Sequence, residues 1–177
     1  MDVGAGDGGY VLHRARTEPT TFAIAIDASP HALAAGAWRA RRARLGNAAF
    51  LVDGVERVPP GLASLADELT IHFPWGSLLR GLVDGSSAVV GPIALLMKPG
   101  AQLRVLMSAI ERDGLSDVTP SLVVSRRVAY AEHGLHLIEA RWASAGTIAE
   151  SRSAWAKRLA IGQARQAVLA RYRRDAT

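Results

Sequence analysis

The chain of 177 residues carries 21 Lys and Arg against 16 Asp and Glu, a net charge of +5, with 49% hydrophobic residues and no cysteine. This size and composition describe one domain, residues 1–177, with a single buried core, and exclude a disordered chain; the missing cysteines exclude disulfides, Fe–S clusters and thiolate zinc sites. No apolar run approaches the roughly 20 residues of a membrane span and no basic-then-apolar leader opens the sequence, so the expected setting is cytoplasmic.

The first strand ends at Val3 and is expected to be clipped, since Met1 alone precedes Asp2. The glycine-rich run Met1-Asp2-Val3-Gly4-Ala5-Gly6-Asp7-Gly8-Gly9 then leads into a helix predicted over residues 9–17. Residues 21–27 are β-rich and apolar, a second strand, followed by a helix over 30–42. Further strands are predicted at 48–53 and 69–73, the latter ended by Pro74 and Gly76. Residues 77–96 read as helix broken at Asp84-Gly85, Pro99-Gly100 as a turn, and 102–109 as a strand. Residues 119–127 fit either helix or strand, 135–142 alternate like a strand, 153–159 form a helical turn, and 166–172 make the last strand. The alternation predicts an α/β fold: a Rossmann-like, mostly parallel, seven-stranded sheet with helices on both faces.

Closely spaced glycines between a strand and a helix let the backbone turn tightly and approach a ligand. Gly4, Gly6 and Gly9 fit the dinucleotide spacing G-x-G-x-x-G. Asp2, Gly4, Gly6 and Gly8 equally fit the acidic-x-G-x-G-x-G pattern of S-adenosylmethionine enzymes, in which Asp2 faces the positive methionine end of the cofactor. Asp27, about 20 positions further on at a strand end, suits the ribose hydroxyls in either reading. Ligands of such sheets gather at the carboxyl ends of the strands. The glycine loop, Asp27, residues 53–56 and residues 74–77 therefore converge on one rim, with Trp75 beside the cofactor. A dehydrogenase needs a proton relay there, and no Tyr-x-x-x-Lys or comparably placed His is present, so the placement favours methyl transfer to a base.

Only four tryptophans occur, and Trp75 and Trp155 sit on polar, Gly- or Arg-flanked segments. A planar ring beside positive charge is how proteins hold a nucleobase, worth ~1–3 kcal/mol per base; an indole packed under a loop is the competing reading. Nearly all cations are Arg, with Lys98 and Lys157 the lysines. Arg39, Arg41, Arg42 and Arg44 fall within six residues, and Lys157, Arg158, Arg165, Arg171, Arg173 and Arg174 within the last 21. Two such patches are the footprint of a polyanion, against the alternative of a solvated helix face and a basic tail. The histidines (His13, His31, His72, His133, His136) show no ligand spacing with carboxylates, so no metal is expected.

Asp2-Val-Gly-Ala-Gly-Asp-Gly, Asp27, the Val55-Glu56 corner, Phe73-Pro-Trp-Gly-Ser-Leu-Leu79 and Trp155-Ala-Lys-Arg-Leu-Ala-Ile-Gly162 together resemble one family. It is the aminoglycoside-resistance 16S rRNA methyltransferases of the kanamycin–apramycin type, which modify adenine 1408 of the decoding site at N1. The resemblance runs over nearly the whole chain in order, and the Phe-Pro-Trp-Gly and Trp-Ala-Lys-Arg-Leu segments discriminate far better than the glycine loop. It implies a class I S-adenosylmethionine fold acting, as a monomer, on 16S rRNA within the 30S subunit, with the flipped adenine clamped between Trp75 and Trp155. By the same match Gly4, Tyr10, Asp27, Val55, Glu56, Pro74, Ser77 and Ser153 line the cofactor pocket beside Asp2 and Gly6. Arg165 contacts rRNA near the target, and Arg39, Arg41, Arg42 and Arg44 occupy the family's basic linker; Lys157 and Arg158, from the second basic patch, are the further RNA-binding candidates. The alternatives are a methyltransferase of another RNA (tRNA guanine-N7 type), a non-catalytic RNA-binding relative, and a nicotinamide-dependent oxidoreductase. The last leaves both tryptophans and both basic patches unexplained.

Overall fold

The computed structural model describes residues 1–57, 59–109, 114–115, 118–158, 160–162 and 165–176. Its strands are β1 (Asp2–Val3), β2 (Ala23–Asp27), β3 (Ala48–Val52), β4 (Ala66–His72), β5 (Met97–Met107), β6 (Leu135–Trp142) and β7 (Val168–Arg174). Its helices are α1 (Gly9–Thr17), α2 (Pro30–Arg42), α3 (Gly76–Asp84), α4 (Ser87–Leu96), α5 (Pro120–Ser125), α6 (Arg127–Ala131), α7 (Ala145–Glu150) and α8 (Ala154–Arg158). The strands form one sheet in the order β3-β2-β1-β4-β5-β7-β6. The first five pair in parallel, and β7 lies antiparallel between β5 and β6. The seven-stranded, mostly parallel α/β sheet expected from the sequence is present.

Alternation along β2 assigns the two faces. Ala23 and Ala25 pack with Val11, Ala15 and Leu33 of α1 and α2, while Ile26 joins Leu79, Leu82, Val90 and Ile93 of α3 and α4. Local signals set the helix ends. At the start of α2, Ser29 Oγ accepts from Ala32 N at 3.2 Å and Pro30 takes the first helical position. At its end Arg44 adopts the left-handed conformation (φ 53), and Leu45 N and Arg44 N donate to Ala40 O and Arg41 O, each at 3.0 Å. The Asp84-Gly85 break is a C-cap, with Gly85 at φ 69.

One sequence expectation needs correction and one open stretch is resolved. β5 begins at Met97 and runs through Pro99-Gly100, where a turn was expected; pairing moves from Ala66 opposite Met97 to Glu68 opposite Gln102, so the extra residues bulge inside the strand with Gly100 at φ 76. The ambiguous 119–127 stretch is helical, its first turn capped by Thr119 Oγ1 accepting from Leu122 N at 3.1 Å. Helix α7 has no counterpart in the sequence reading. Leu159, the expected end of the last helical turn, lies outside the described residues.

β1 pairs only through Asp2 and Val3. Residues of β2 and β4 line a cavity of about 590 Å³ together with Tyr10, Arg14 and Phe22. No single helix among the described residues is long and apolar enough to cross a membrane; α3 and α4 are apolar together but bent by 93° at their break.

Candidate active site

The glycine loop leaves β1 with Gly4, Gly6 and Gly8 all at positive φ (68, 56 and 67), a course that side chains with a Cβ follow only under strain. Gly4 N and Ala5 N both donate to Ile26 O, at 2.8 and 3.1 Å, which seats the loop on the end of β2. Asp27 completes the joint: Gly6 N donates to its Oδ2 at 2.7 Å and Ser29 N to its Oδ1 at 2.8 Å. A carboxylate has about four lone-pair sites, so Asp27 fastens the loop and retains capacity for ribose hydroxyls. Beyond β3, Val55 is buried and Glu56 exposed on a short 3-10 turn.

Beneath the loop sits a buried polar group. Asp2 is 3% exposed, Thr70 Oγ1 donates to its Oδ1 at 2.7 Å, and His72 Nδ1 lies 3.4 Å from the same oxygen. Burial pushes the Asp2 carboxyl up to about 7, the Thr70 hydrogen bond opposing. Burial, helped by the Arg104 charge, pushes His72 down to about 3. The two are therefore not an ion pair: near neutral pH the ring is uncharged. Tyr10 meets the His72 ring edge-on at 4.5 Å between centroids, and Arg14 Nη1 donates to the Tyr10 hydroxyl at 2.8 Å. Burial raises the Tyr10 hydroxyl above its ordinary value, so it stays protonated.

The two tryptophan segments are placed by neighbouring contacts. Phe73 has φ 53 and is 3% exposed, and its N–H donates to Leu106 O at 2.8 Å. An aromatic residue in the left-handed region costs roughly 1–3 kcal/mol, and here buried packing holds it there. Pro74 is buried, Trp75 stands 66% exposed at the mouth of α3, and Ser77 is exposed two residues further on. A Cβ on Gly4 would come within 2.9 Å of Leu78 Cδ2, so α3 lies directly against the glycine loop.

Ser153 caps the second segment, its Oγ accepting from Ala156 N at 3.2 Å. Arg152, at φ 53, brings its carbonyl to 3.1 Å from where a Cβ on Gly9 would stand, so the turn before α8 abuts the start of α1. Trp155 is half-buried against a cluster of Phe73, Leu106, Ile148, Ala156 and Leu169. Phe73 therefore links the two segments, because it neighbours Trp75 in the chain and packs in the cluster that seats Trp155. Lys157, Arg158 and Arg165 are exposed.

Of the four arginines around the end of α2, Arg41, Arg42 and Arg44 are exposed. Arg39 turns inward instead, its Nη2 donating to Asp7 O and Asp7 Oδ2, each at 2.7 Å. It braces the glycine loop, a role its place in a basic run gave no reason to expect. Two residues escaped the sequence reading. Trp38, 59% exposed with the Arg42 guanidinium 5.1 Å from its ring centroid, was legible by the aromatic-beside-cation criterion applied to the other two. His72 carried no signal, because its contact with Asp2 joins neighbouring strands 70 residues apart in sequence. Among the described residues no three His, Asp or Glu side chains gather into a group that could hold a metal ion.

A seven-stranded sheet of this order, a glycine loop at positive φ and an acidic residue ending β2 together define a Rossmann-like methyltransferase of the S-adenosylmethionine-dependent class. Residues 1–174 match the NpmA family, 16S rRNA (adenine(1408)-N(1))-methyltransferase, and the chain belongs to that family. The 16S rRNA (adenine(1408)-N(1))-methyltransferase of Streptoalloteichus tenebrarius is 31% identical over 184 residues, covering 96% of this chain and 84% of that protein. Among solved structures, a mutant of the enzyme of the same name from Catenulisporales acidiphilia, with cosubstrate SAM, superposes with a TM-score of 0.84 at 27% identity, over 98% of this chain and 84% of that one. The aminoglycoside resistance methyltransferase NpmB1 does so with a TM-score of 0.76 at 32% identity, over 98% and 85%.

Proposed function

We propose that this chain, acting as a single 1–177 unit and as a monomer, transfers a methyl group from S-adenosylmethionine to N1 of adenine 1408 in the 16S rRNA of the 30S subunit, in the cytoplasm, and thereby confers aminoglycoside resistance. One observation carries the reading: both tryptophan segments abut the glycine loop, α3 through Leu78 at Gly4 and the turn before α8 through Arg152 at Gly9, and they share the packing of Phe73.

The cradle suits the cofactor by its donor set. Three positive-φ glycines bare the loop backbone, Asp27 keeps free lone pairs, and Asp2 offers a buried carboxyl to a cationic group. Asp2, Gly4, Gly6, Tyr10, Asp27, Val55, Glu56, Pro74, Ser77 and Ser153 line it in this reading. The bound sulfonium supplies an electrophilic methyl group. Trp75 and Trp155 stack on the extruded adenine, offsetting an unstacking cost of a few kcal/mol, and hold its N1 lone pair in line so that positioning does most of the catalysis. The indole faces then favour the cationic 1-methyladenine product. N1 is a nucleophile without losing a proton first, so the chemistry asks for neither a general base nor a metal. Arg41, Arg42, Arg44, Lys157, Arg158 and Arg165 contact rRNA phosphates.

Methyl transfer from labelled cofactor to intact 30S subunits, mapped by reverse-transcription stops, tests this. A stop at adenine 1408 supports reaction and target together. A stop elsewhere keeps the chemistry and rejects the target. Cofactor binding with no incorporation leaves the non-catalytic reading.

A further inference from the structure

The side chains of Asp2 and His72 are 4% and 5% exposed, and neither ring nitrogen of His72 has a hydrogen-bond partner among the described residues. An unpaired buried donor costs about 1–3 kcal/mol, and the ring cannot escape that cost by protonation, because burial and Arg104 hold it neutral. Tyr10 packs edge-on against the ring at 4.5 Å between centroids, and Nδ1 lies 3.4 Å from Asp2 Oδ1 without making a hydrogen bond to it. Closing to the ~2.9 Å of a full N–H···O bond takes about half an ångström together with a turn of the ring that aligns the N–H.

We propose that His72 is a positioning residue for the methionine end of the cofactor: its neutral ring carries the proton on Nδ1 and donates it to Asp2, aiming that carboxylate at the cofactor's ammonium group. The proposal rests on the placement of Asp2 at the methionine end of the cradle. The groups that face the pair are Thr70 and Glu68 of β4, the Met1 amine, Asp27 at the end of β2, Tyr10 and Arg14 of α1, and Arg104 of β5. Of these, the Thr70 hydroxyl and the amine favour an ionised Asp2, whereas Asp27 and Glu68 oppose it. With Asp2 at about 7, much of it is protonated near neutral pH before the cofactor arrives. Arrival of the ammonium group then expels one proton from the carboxyl to solvent. The bond to Nδ1–H strengthens as the acceptor becomes anionic.

The ring nitrogens report the arrangement directly. In ¹⁵N-labelled protein the His72 signals are expected to be those of a neutral ring protonated at Nδ1, with that N–H moving when S-adenosylmethionine is added; an Nε2-protonated ring, or one indifferent to cofactor, overturns the proposal. Cofactor affinity is then followed from about pH 6 to about pH 9 in His72→Leu and His72→Asn. Loss of one buried donor to a carboxylate predicts roughly tenfold weaker binding in the Leu variant near neutrality, with the midpoint of the pH dependence moved upward. The Asn variant, which keeps an N–H near the Nδ1 position, recovers most of both. Equal behaviour of Leu and Asn with an unmoved midpoint overturns the proposal. Asp2→Asn separates the two levels. Wild-type cofactor affinity in that variant removes the placement of Asp2 and this proposal with it, whereas weakening there with no effect in His72→Leu removes this proposal alone.

Discussion

Arg39 holds Asp7 by two hydrogen bonds of 2.7 Å from one nitrogen, to the carboxylate and to the backbone carbonyl. The contact joins the last turn of α2 to the middle of the glycine loop, so one member of the basic run serves the cofactor cradle while its exposed neighbours remain available to a polyanion.

Separate consequences are therefore expected from neighbouring arginines. The Arg39–Asp7 side chains are 39% and 37% exposed, so solvent screening discounts the pair, and Arg39→Ala is expected to weaken cofactor binding only about threefold, or ~0.7 kcal/mol. It should leave the salt dependence of 30S binding unchanged. Arg41→Ala, Arg42→Ala and Arg44→Ala should each lower that salt slope by about 1 and spare cofactor affinity. Calorimetric titration with cofactor and 30S binding at several salt concentrations check both halves.

The tryptophans separate by burial. Trp75 is 66% exposed, so Trp75→Ala should leave Tm within about a degree of wild type and reduce methylation by roughly 5- to 150-fold, the loss of ~1–3 kcal/mol of stacking. Trp155 is packed on the Phe73 cluster, so Trp155→Ala should cost about 1–3 kcal/mol of stability as well as methylation. Cofactor affinity should stay within a few-fold in both. Equal Tm losses in the two variants would show that Trp75 is a packing residue.

How far the sequence reaches depends on the range of each interaction. Helix boundaries at 9–17 and 30–42 were readable because Gly8-Gly9, Ser29-Pro30 and the fall in apolar periodicity act within a few residues. The mostly parallel sheet with helices on both faces followed from alternation of elements. The failure at Pro99-Gly100 is of another kind: a local turn signal lost to long-range pairing of β5 with β4 and β7, which keeps the strand continuous around the bulge. Candidate site residues on contiguous motifs, such as Asp27 at the end of β2 and Trp75 after Pro74, can be named from the sequence. Contacts between distant segments were not, hence the inward turn of Arg39 toward Asp7 and the meeting of His72 with Asp2.

Glycine 36 offers a test in which two general effects oppose each other. Alanine inside a helix is normally about 1 kcal/mol more favourable than glycine. Here a Cβ on Gly36 would stand 2.4 Å from the backbone oxygen of Asp7 and 2.8 Å from Phe50 Cε1. The backbone oxygen cannot swing away as a flexible side chain could, so α2 or the loop must move, at about 1–3 kcal/mol. Overpacking wins, and Gly36→Ala should lower Tm by several degrees and weaken cofactor binding. A Tm at or above wild type would mean that the loop yields freely.

The buried pair also makes an unusual prediction for stability against pH. Asp2 is raised from 3.8 to about 7 in the folded chain, so its contribution is fully present below about pH 4 and is lost as pH rises through about 7. His72 is lowered from 6.5 to about 3, so its contribution is fully present above about pH 6.5 and is lost as pH falls through about 3. Between roughly pH 4 and 6.5 the two slopes, each of order 1.4 kcal/mol per pH unit, run in opposite directions and largely cancel. Each single variant unmasks its partner. Asp2→Asn leaves the histidine slope, and stability should climb with pH across that window. His72→Leu leaves the carboxyl slope, and stability should fall with rising pH up to about 7. Urea midpoints near pH 4.5 and near pH 6.5 for wild type and both variants are enough to read the signs. Parallel profiles in all three proteins would show that neither group titrates in the buried setting described here.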